Sequence, residues 1–224
     1  MINKLNSVTG NGVDYVHPET KQVSQHMKEF GFHVLGRAIY DATFSEMMRP
    51  FAHVLSVVHA AHGAEILIKA RIAEEHPLLI FKSYPKSNTT KDALSIKELF
   101  EYGRTLMYSE LPEVLWAATG YRIKELDKYQ KFGALRNTIV HFAAPDCEAS
   151  VETLRFAFEV FDPIVRDFWG ESFIDYSEYW DEVIISDGYL REQIEQLNIQ
   201  MHPETKKQME SLDLTLKENE GSSK

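Results

Sequence analysis

The stretch from Phe51 to Glu75 constrains the fold more than any other part of the sequence. Its apolar residues recur at intervals of three and four, which places them on one face of an α-helix. Pro50 comes just before the stretch and Pro77 just after it, and proline favours the start of a helix and opposes its continuation. A long helix with one apolar face must pack against other helices. The predicted buried face consists of Val54, Val57, Val58, Ala61, Ala64, Leu67, Ile68 and Ile72.

The same spacing recurs along most of the chain, which predicts an all-α fold. Further helices are predicted over 23–48, 95–107, 112–120, 121–143, 149–169 and 188–199. Pro163 predicts a kink in its helix, and Gly133 predicts either a helix break or a close approach by another chain. The apolar run 78–81 fits a short strand or a buried loop. Since strand signals are few, we expect an antiparallel helical bundle with extra C-terminal helices.

Length and composition favour one domain with flanking segments. The chain has 224 residues, of which 44% are hydrophobic and 26% charged, as is usual for globular proteins. The predicted organisation is an N-terminal arm over 1–20, the helical bundle over 21–170, an acidic and aromatic C-terminal extension over 171–210, and a disordered tail over 211–224. The extension mixes aromatic rings with carboxylates, which favours a packing or partner surface over base stacking.

The sequence predicts a soluble protein of the cytoplasm. Cys147 is the single cysteine, which excludes an intramolecular disulfide and any multi-cysteine metal site and favours a reducing compartment. The N-terminal residues lack the apolar run of a signal peptide, and no apolar run is long enough for a membrane span. We therefore expect no contact with a membrane.

The formal net charge of −10 argues against a surface that attracts nucleic acid everywhere. The charge is unevenly distributed along the chain. Residues 146–200 include fourteen acidic and three basic residues, whereas residues 82–141 include ten basic and seven acidic ones. A local cationic cleft within the second segment is therefore compatible with the overall charge.

Three polar residues interrupt the apolar pattern of the helix predicted over 121–143. Arg136 carries a permanently charged, planar guanidinium that can hold a phosphate through two parallel hydrogen bonds. His141 can both take and give a proton near neutral pH, and Asn137 can hydrogen-bond to either partner. Together they have the chemistry needed to bind and cleave a phosphodiester.

Helical geometry separates the two ionisable members of this set. Asn137 and His141 are four residues apart and share a face, whereas Arg136 projects about 140° away from His141. A single site therefore requires the arginine side chain to bend round, or a second copy of the segment to face the first. This geometry favours a homodimer. The core face of the helix is predicted to include Leu135, Ile139 and Phe142.

The arrangement Arg-Asn-x-x-x-His over 136–141 resembles the signature of the HEPN superfamily, an arginine and a histidine separated by four to six residues. A polar residue directly after the arginine is frequent in that family. The upstream segment 63–70 is also HEPN-like, and the resemblance covers residues 50–170. HEPN proteins are helical, and many are metal-independent endoribonucleases of toxin–antitoxin, phage-defence or RNA-processing systems.

The resemblance implies a toxin or defence endoribonuclease that acts on RNA without a metal or other cofactor. The ribose 2′-hydroxyl would attack the adjacent phosphorus, with His141 as general acid or base and Arg136 stabilising the charge on phosphate. Asn137 would orient His141 or bind a phosphate oxygen, and Glu65 and Lys69 would support the site from the upstream helix. The products would be a 2′,3′-cyclic phosphate and a 5′-hydroxyl, and DNA would not be cleaved. The implied partners are a second copy of the chain and an antitoxin protein.

Other interpretations of the same residues stay open. Arg136 could form a surface ion pair with Glu125 or Asp146, and His141 could pack at a helix edge. His59 and His62 have a spacing that can bind zinc, but a third ligand is missing and a solvated ridge is favoured. The chain could therefore be a non-catalytic helical binding or dimerisation module, since a fold alone does not establish an activity. It could also be a module that holds a phosphate or nucleotide without cleaving it.

Overall fold

The structure is a computed structural model that describes residues 22–44, 51–85, 96–142, 148–174 and 189–211. Almost all regular structure in these ranges is helical, which confirms the prediction of an all-α fold. The helices are α1 (Val23–Thr43), α2 (Ala52–Glu75), α3 (Ile96–Tyr102), α4 (Leu111–Thr119), α5 (Leu126–Phe142), α6 (Ala149–Arg155), α7 (Asp162–Trp169) and α8 (Tyr189–Gln196). Residues 203–211 are also helical. The short strands β1 (Phe81–Ser83) and β2 (Arg104–Thr105) pair antiparallel.

Some predictions concern residues outside the described ranges. The N-terminal arm over 1–20 and Cys147 are among these. So are residues 175–188, which contain the acidic and aromatic cluster of the C-terminal extension, and residues 212–224 of the predicted tail. The helices that position the candidate site all lie within the described ranges.

Helices α1 and α2 form the central antiparallel pair of the core. Gly31 lies beside Leu67 and Gly63 lies beside Leu35, so residue numbers rise along one helix as they fall along the other. A Cβ atom on Gly63 would lie 3.0 Å from the backbone nitrogen of Leu35, so the two helix backbones are in close contact. The predicted apolar face of α2 is buried except for Val58, which is half-buried.

Helix α5, which contains the motif, packs antiparallel to the helices that follow it. Lys128 forms an ion pair with Glu159, and the ring of Phe132 stacks on that of Phe156 with centroids 3.9 Å apart. Tyr129 is fully buried on the same side of the helix. These contacts fix the rotation of α5 about its axis and therefore the direction in which the motif residues point.

Two predictions for this helix are wrong. It begins at Leu126, later than predicted, and the hydroxyl of Tyr121 in the segment before it donates to Asp167 of α7 at 2.9 Å. Phe142 was predicted to face the core but is 80% exposed, because the last turn of α5 extends past the aromatic contacts that bury the middle of the helix. Ile139, one turn earlier, is buried as predicted.

The helix predicted over 149–169 is continuous but irregular. A π-helical segment, Phe156–Phe161, joins α6 to α7, and the N–H of Asp162 donates to the carbonyl of Ala157 five residues earlier. The irregularity therefore lies before Pro163 rather than at it. Because proline has no N–H, the carbonyl one turn earlier lacks its usual helical partner, and the wider turn accommodates this.

A buried carboxylate attaches residues 203–211 to this irregular helix. Asp162 is fully buried, accepts a hydrogen bond from the hydroxyl of Thr205, and lies 3.5 Å from Nε of Arg166. Burial raises the pKa of Asp162, while the hydrogen bond from Thr205 and the charge of Arg166 act in the opposite direction. Thr205 is therefore one of two hydrogen-bond donors to the Asp162 carboxylate, the other being the N–H of Phe173 at 3.4 Å.

Replacing Thr205 with valine is expected to lower the free energy of unfolding by about 1–3 kcal/mol, because a buried carboxylate loses a hydrogen-bond donor while the side-chain shape is kept. Urea unfolding followed by circular dichroism measures the change. Thr138→Val is the control, since the hydroxyl of Thr138 bonds only to the carbonyl of Ala134 on an exposed helix surface. Equal losses in the two variants would show that the Asp162 hydrogen bond has no special stabilising effect.

Candidate functional site

A cleft of about 570 Å³ lies between α2, α5 and the segment that connects β2 to α4. We call it the Arg136 cleft. Its walls include Glu65 of α2, Tyr108 of the connecting segment, and Gly133, Arg136 and Asn137 of α5. The cleft therefore brings two of the three motif residues together with the glutamate predicted on the upstream helix.

Arg136 is half-buried in the wall of the cleft, and its Nη1 donates a hydrogen bond to Oδ1 of Asn137 at 3.0 Å. Within the described ranges Arg136 forms no ion pair, so the alternative pair with Glu125 is not seen, while Asp146 lies outside these ranges. The positive charge of Arg136 acts on the hydroxyl of Tyr108 and on the imidazole of His62. Nη1 of the guanidinium is thus oriented by a neutral amide, and no carboxylate of the described residues lies within ion-pair distance of it.

Lys69 lies beneath the cleft and holds Glu65. Its Nζ is 2.6 Å from Oε1 of Glu65 and 3.2 Å from Oγ1 of Thr105. The lysine side chain is only 8% exposed, and that of the glutamate is 19% exposed. Lys69 therefore neutralises and orients Glu65 from below, and its own charge is not directed at a ligand.

Two stacked tyrosine rings form a rigid part of the wall. The ring centroids of Tyr108 and Tyr129 are 4.2 Å apart, and the planes are 4° from parallel. Each hydroxyl donates to the backbone carbonyl of the other residue, at 3.1 Å and 3.2 Å. Burial raises the pKa of both hydroxyls, so both stay protonated at neutral pH.

Gly133 allows this wall to approach α5. A Cβ atom at Gly133 would lie 2.5 Å from the Tyr108 ring, closer than any side chain permits. The glycine was predicted to break the helix or to admit another chain, and neither describes its role here. It stays inside a continuous helix and admits an aromatic ring of the same chain.

His141 follows Asn137 by one turn of α5 but does not line the Arg136 cleft. It is exposed in the last turn of α5 and is not among the residues that line the Arg136 cleft. Its neighbours Val140 and Phe142 are 50% and 80% exposed. One copy of the chain therefore brings Arg136 and Asn137 to the cleft but leaves His141 outside it.

His62 supplies another imidazole close to the cleft, and this residue is not part of the motif. It is exposed on α2, one turn before Glu65, and within range of the charges on Glu65, Lys69 and Arg136. Partial burial of the ring holds the pKa of His62 below its usual value; Glu65 opposes this effect, and the positive charges of Lys69 and Arg136 add to it. The spacing of His59, His62 and Glu65 marks a polar ridge in the sequence, but nothing in the sequence shows that Arg136 faces it.

No family model matches the chain, and neither a curated protein nor a solved structure does so. The likeness to HEPN proteins thus depends on the motif residues and the predicted helices. Within the described ranges, no group of three or more histidine, cysteine, aspartate or glutamate side chains is placed to hold a metal ion. None of the described helices combines the length and the apolar character that crossing a membrane requires.

Proposed function

We propose that the chain is a metal-independent endoribonuclease of the HEPN type and that Arg136 holds the phosphodiester to be cleaved. The observation that carries the proposal is the state of this arginine. It lines an open cleft, is half-buried, and is oriented by Asn137 instead of being neutralised by a carboxylate within the described ranges. Such a guanidinium can donate hydrogen bonds to two phosphate oxygens at once. These bonds are stronger in a half-buried cleft than in open water.

The proposed reaction transfers the phosphoryl group within the RNA chain. The 2′-oxygen forms a bond to phosphorus as its proton leaves to a base, the bond from phosphorus to the 5′-oxygen breaks, and an acid protonates that oxygen. The products are a 2′,3′-cyclic phosphate and a 5′-hydroxyl. Arg136 stabilises the charge that grows on the non-bridging oxygens, and Asn137 adds a hydrogen bond to one of them. Glu65, fixed by Lys69, keeps this wall of the cleft in shape.

The resemblance assigns proton transfer to His141, and because His141 does not line the cleft of its own chain, the proposed route uses a homodimer. The exposed side chains of Val140 and Phe142 beside it supply apolar surface for a second copy. In that arrangement His141 of each copy would enter the Arg136 cleft of the other. An antitoxin, as the resemblance implies, would be a protein that covers the cleft.

Purified protein incubated with end-labelled single-stranded RNA in EDTA tests the proposal. We expect cleavage with 2′,3′-cyclic phosphate ends, no cleavage of the matching DNA, and a loss of at least 10²-fold in Arg136→Ala. Arg122→Ala is the matched control, because Arg122 is an exposed arginine stacked on Trp116, 4.6 Å from its ring centroid, and does not line the cleft. Cleavage that EDTA abolishes, or that survives the loss of Arg136, would refute the proposal.

A second candidate is a module that binds a phosphate or nucleotide without cleaving it. The position of His141 outside the cleft favours this function, since binding needs the arginine but not the imidazole. Calorimetric titration with a nucleoside monophosphate distinguishes the two. Binding that disappears in Arg136→Ala, in a protein that leaves RNA intact, would support the second candidate.

A further inference from the structure

The exposed ridge of α2 beside Arg136 carries two imidazoles at helical spacing. His59 and His62 are three residues apart, so they are neighbours on the helix surface, with about 5–6 Å between their Cβ atoms. The charge of His59 acts on His62, and so does that of Arg136 from α5. His62 lies one turn before Glu65, which lines the Arg136 cleft, and His59 lies one turn farther along the ridge.

The first imidazole lies beside a buried carboxylate. Asp41 of α1 is 4% exposed, and its Oδ2 lies 3.5 Å from Nδ1 of His59. That Nδ1 atom is itself buried without a hydrogen bond in the described ranges, while 40% of the side chain is exposed. Arg37 fixes the carboxylate through Nη2 at 2.7 Å from Oδ1. The ring of His59 therefore turns Nδ1 inwards to Asp41 and leaves Nε2 on the open side.

His62, the second imidazole, is closer to the Arg136 cleft than His59 is. His62 is surrounded by Glu65 and Lys69 of its own helix and by Arg136 of α5. Its pKa is below the usual value, mainly through partial burial, so the ring is largely neutral at pH 7. A neutral imidazole beside a bound phosphodiester is suited to accept the proton of the 2′-hydroxyl.

We propose that His62 and His59, both on α2, are the general base and general acid of the ribonuclease, and that Asp41 positions His59. This inference rests on the proposed function and replaces His141 of a second copy with groups of the same chain. His62 takes the proton from the 2′-hydroxyl as the bond from that oxygen to phosphorus forms. His59, protonated, gives its proton to the 5′-oxygen as the bond from phosphorus to that oxygen breaks. Exchange with water afterwards restores both rings.

Cleavage assays with single-histidine variants test the assignment. We expect losses of about 10²–10⁴-fold in His62→Ala and in His59→Ala. His53→Ala is the matched control, because His53 lies on α2 about 180° from His62 in projection.

Asp41→Asn should shift one limb of the pH–rate profile while thermal unfolding shows that the protein stays folded, which separates positioning from stability. Loss of cleavage only in His141→Ala would overturn the inference and leave the ribonuclease proposal standing.

A titration with inorganic phosphate, which needs no catalytic turnover, distinguishes the acid–base assignment from the ribonuclease proposal. The C2–H resonances of the histidines, assigned from the same variants, are followed by NMR as inorganic phosphate is added. We expect phosphate to shift His62 and His59, to leave His141 unchanged, and to have no effect in Arg136→Ala. If phosphate leaves the two rings of α2 unaffected, the inference is overturned even if RNA is cleaved. If phosphate shifts them but the wild type leaves RNA intact, the site only binds phosphate, and both the acid–base assignment and the ribonuclease proposal are overturned.

Discussion

Replacing Lys69 with methionine is expected to lower the free energy of unfolding by about 3–5 kcal/mol, because it removes one partner of a buried ion pair. The lysine side chain is 8% exposed, and its Nζ is 2.6 Å from Oε1 of Glu65. Methionine fills a similar volume, so the main loss is electrostatic. Glu65, 19% exposed, would retain a negative charge with no cation beneath it. Chemical denaturation of the purified variant measures the change.

The double variant Lys69→Met Glu65→Gln is the control for this prediction. Removing both charges should restore most of the lost stability, since an apolar or neutral replacement of a whole buried pair costs little. RNA cleavage should fall in Lys69→Met, because a free Glu65 carboxylate in the wall of the cleft would attract the guanidinium of Arg136 away from phosphate. A loss below about 1 kcal/mol in the single variant would show that water reaches the pair.

Local sequence signals were sufficient to predict the helices whose ends they mark. Helix α2 was predicted over 51–75 and occupies Ala52–Glu75, since Pro77 ends it and its apolar face has a regular period. The start of α5 was not predictable in this way. The segment before it contacts α7 through a hydrogen bond between Tyr121 and Asp167, which are 46 residues apart in the chain. Contacts at such a separation leave no periodic signal in the sequence.

The residues of the candidate site fall into the same two groups, those with a local sequence signal and those that only the fold brings together. Arg136 and Asn137 are adjacent in the sequence, and Glu65 has the resemblance to support it, so all three could be placed in advance. The wall formed by Tyr108 could not, because this residue belongs to a short 3₁₀ turn without a motif. Asp41 was equally hidden, since only the antiparallel packing of α1 on α2 brings it to His59.

Replacing Gly133 with leucine is expected to lower the free energy of unfolding by about 3 kcal/mol, at the upper end for adding a large side chain to a packed interior. A Cβ atom at this position would already lie 2.5 Å from Cε1 of Tyr108. The Tyr108 ring has little freedom to retreat, because it stacks on Tyr129 and the two residues exchange hydrogen bonds to their backbone carbonyls. Thermal and urea unfolding of the variant measure the loss.

Ala134→Leu is the matched control, because this neighbour in α5 is exposed and the same side chain should there change stability by no more than about 0.5 kcal/mol. A compensating variant, Gly133→Leu with Tyr108→Ala, should be more stable than the sum of the two single losses indicates, since loss of the ring removes the clash with leucine and leucine fills part of the cavity that the ring leaves. Strict additivity would mean that the ring does not pack on the glycine. In that case the wall of the Arg136 cleft, and the orientation of Arg136 one turn away, would have to be fixed by other contacts.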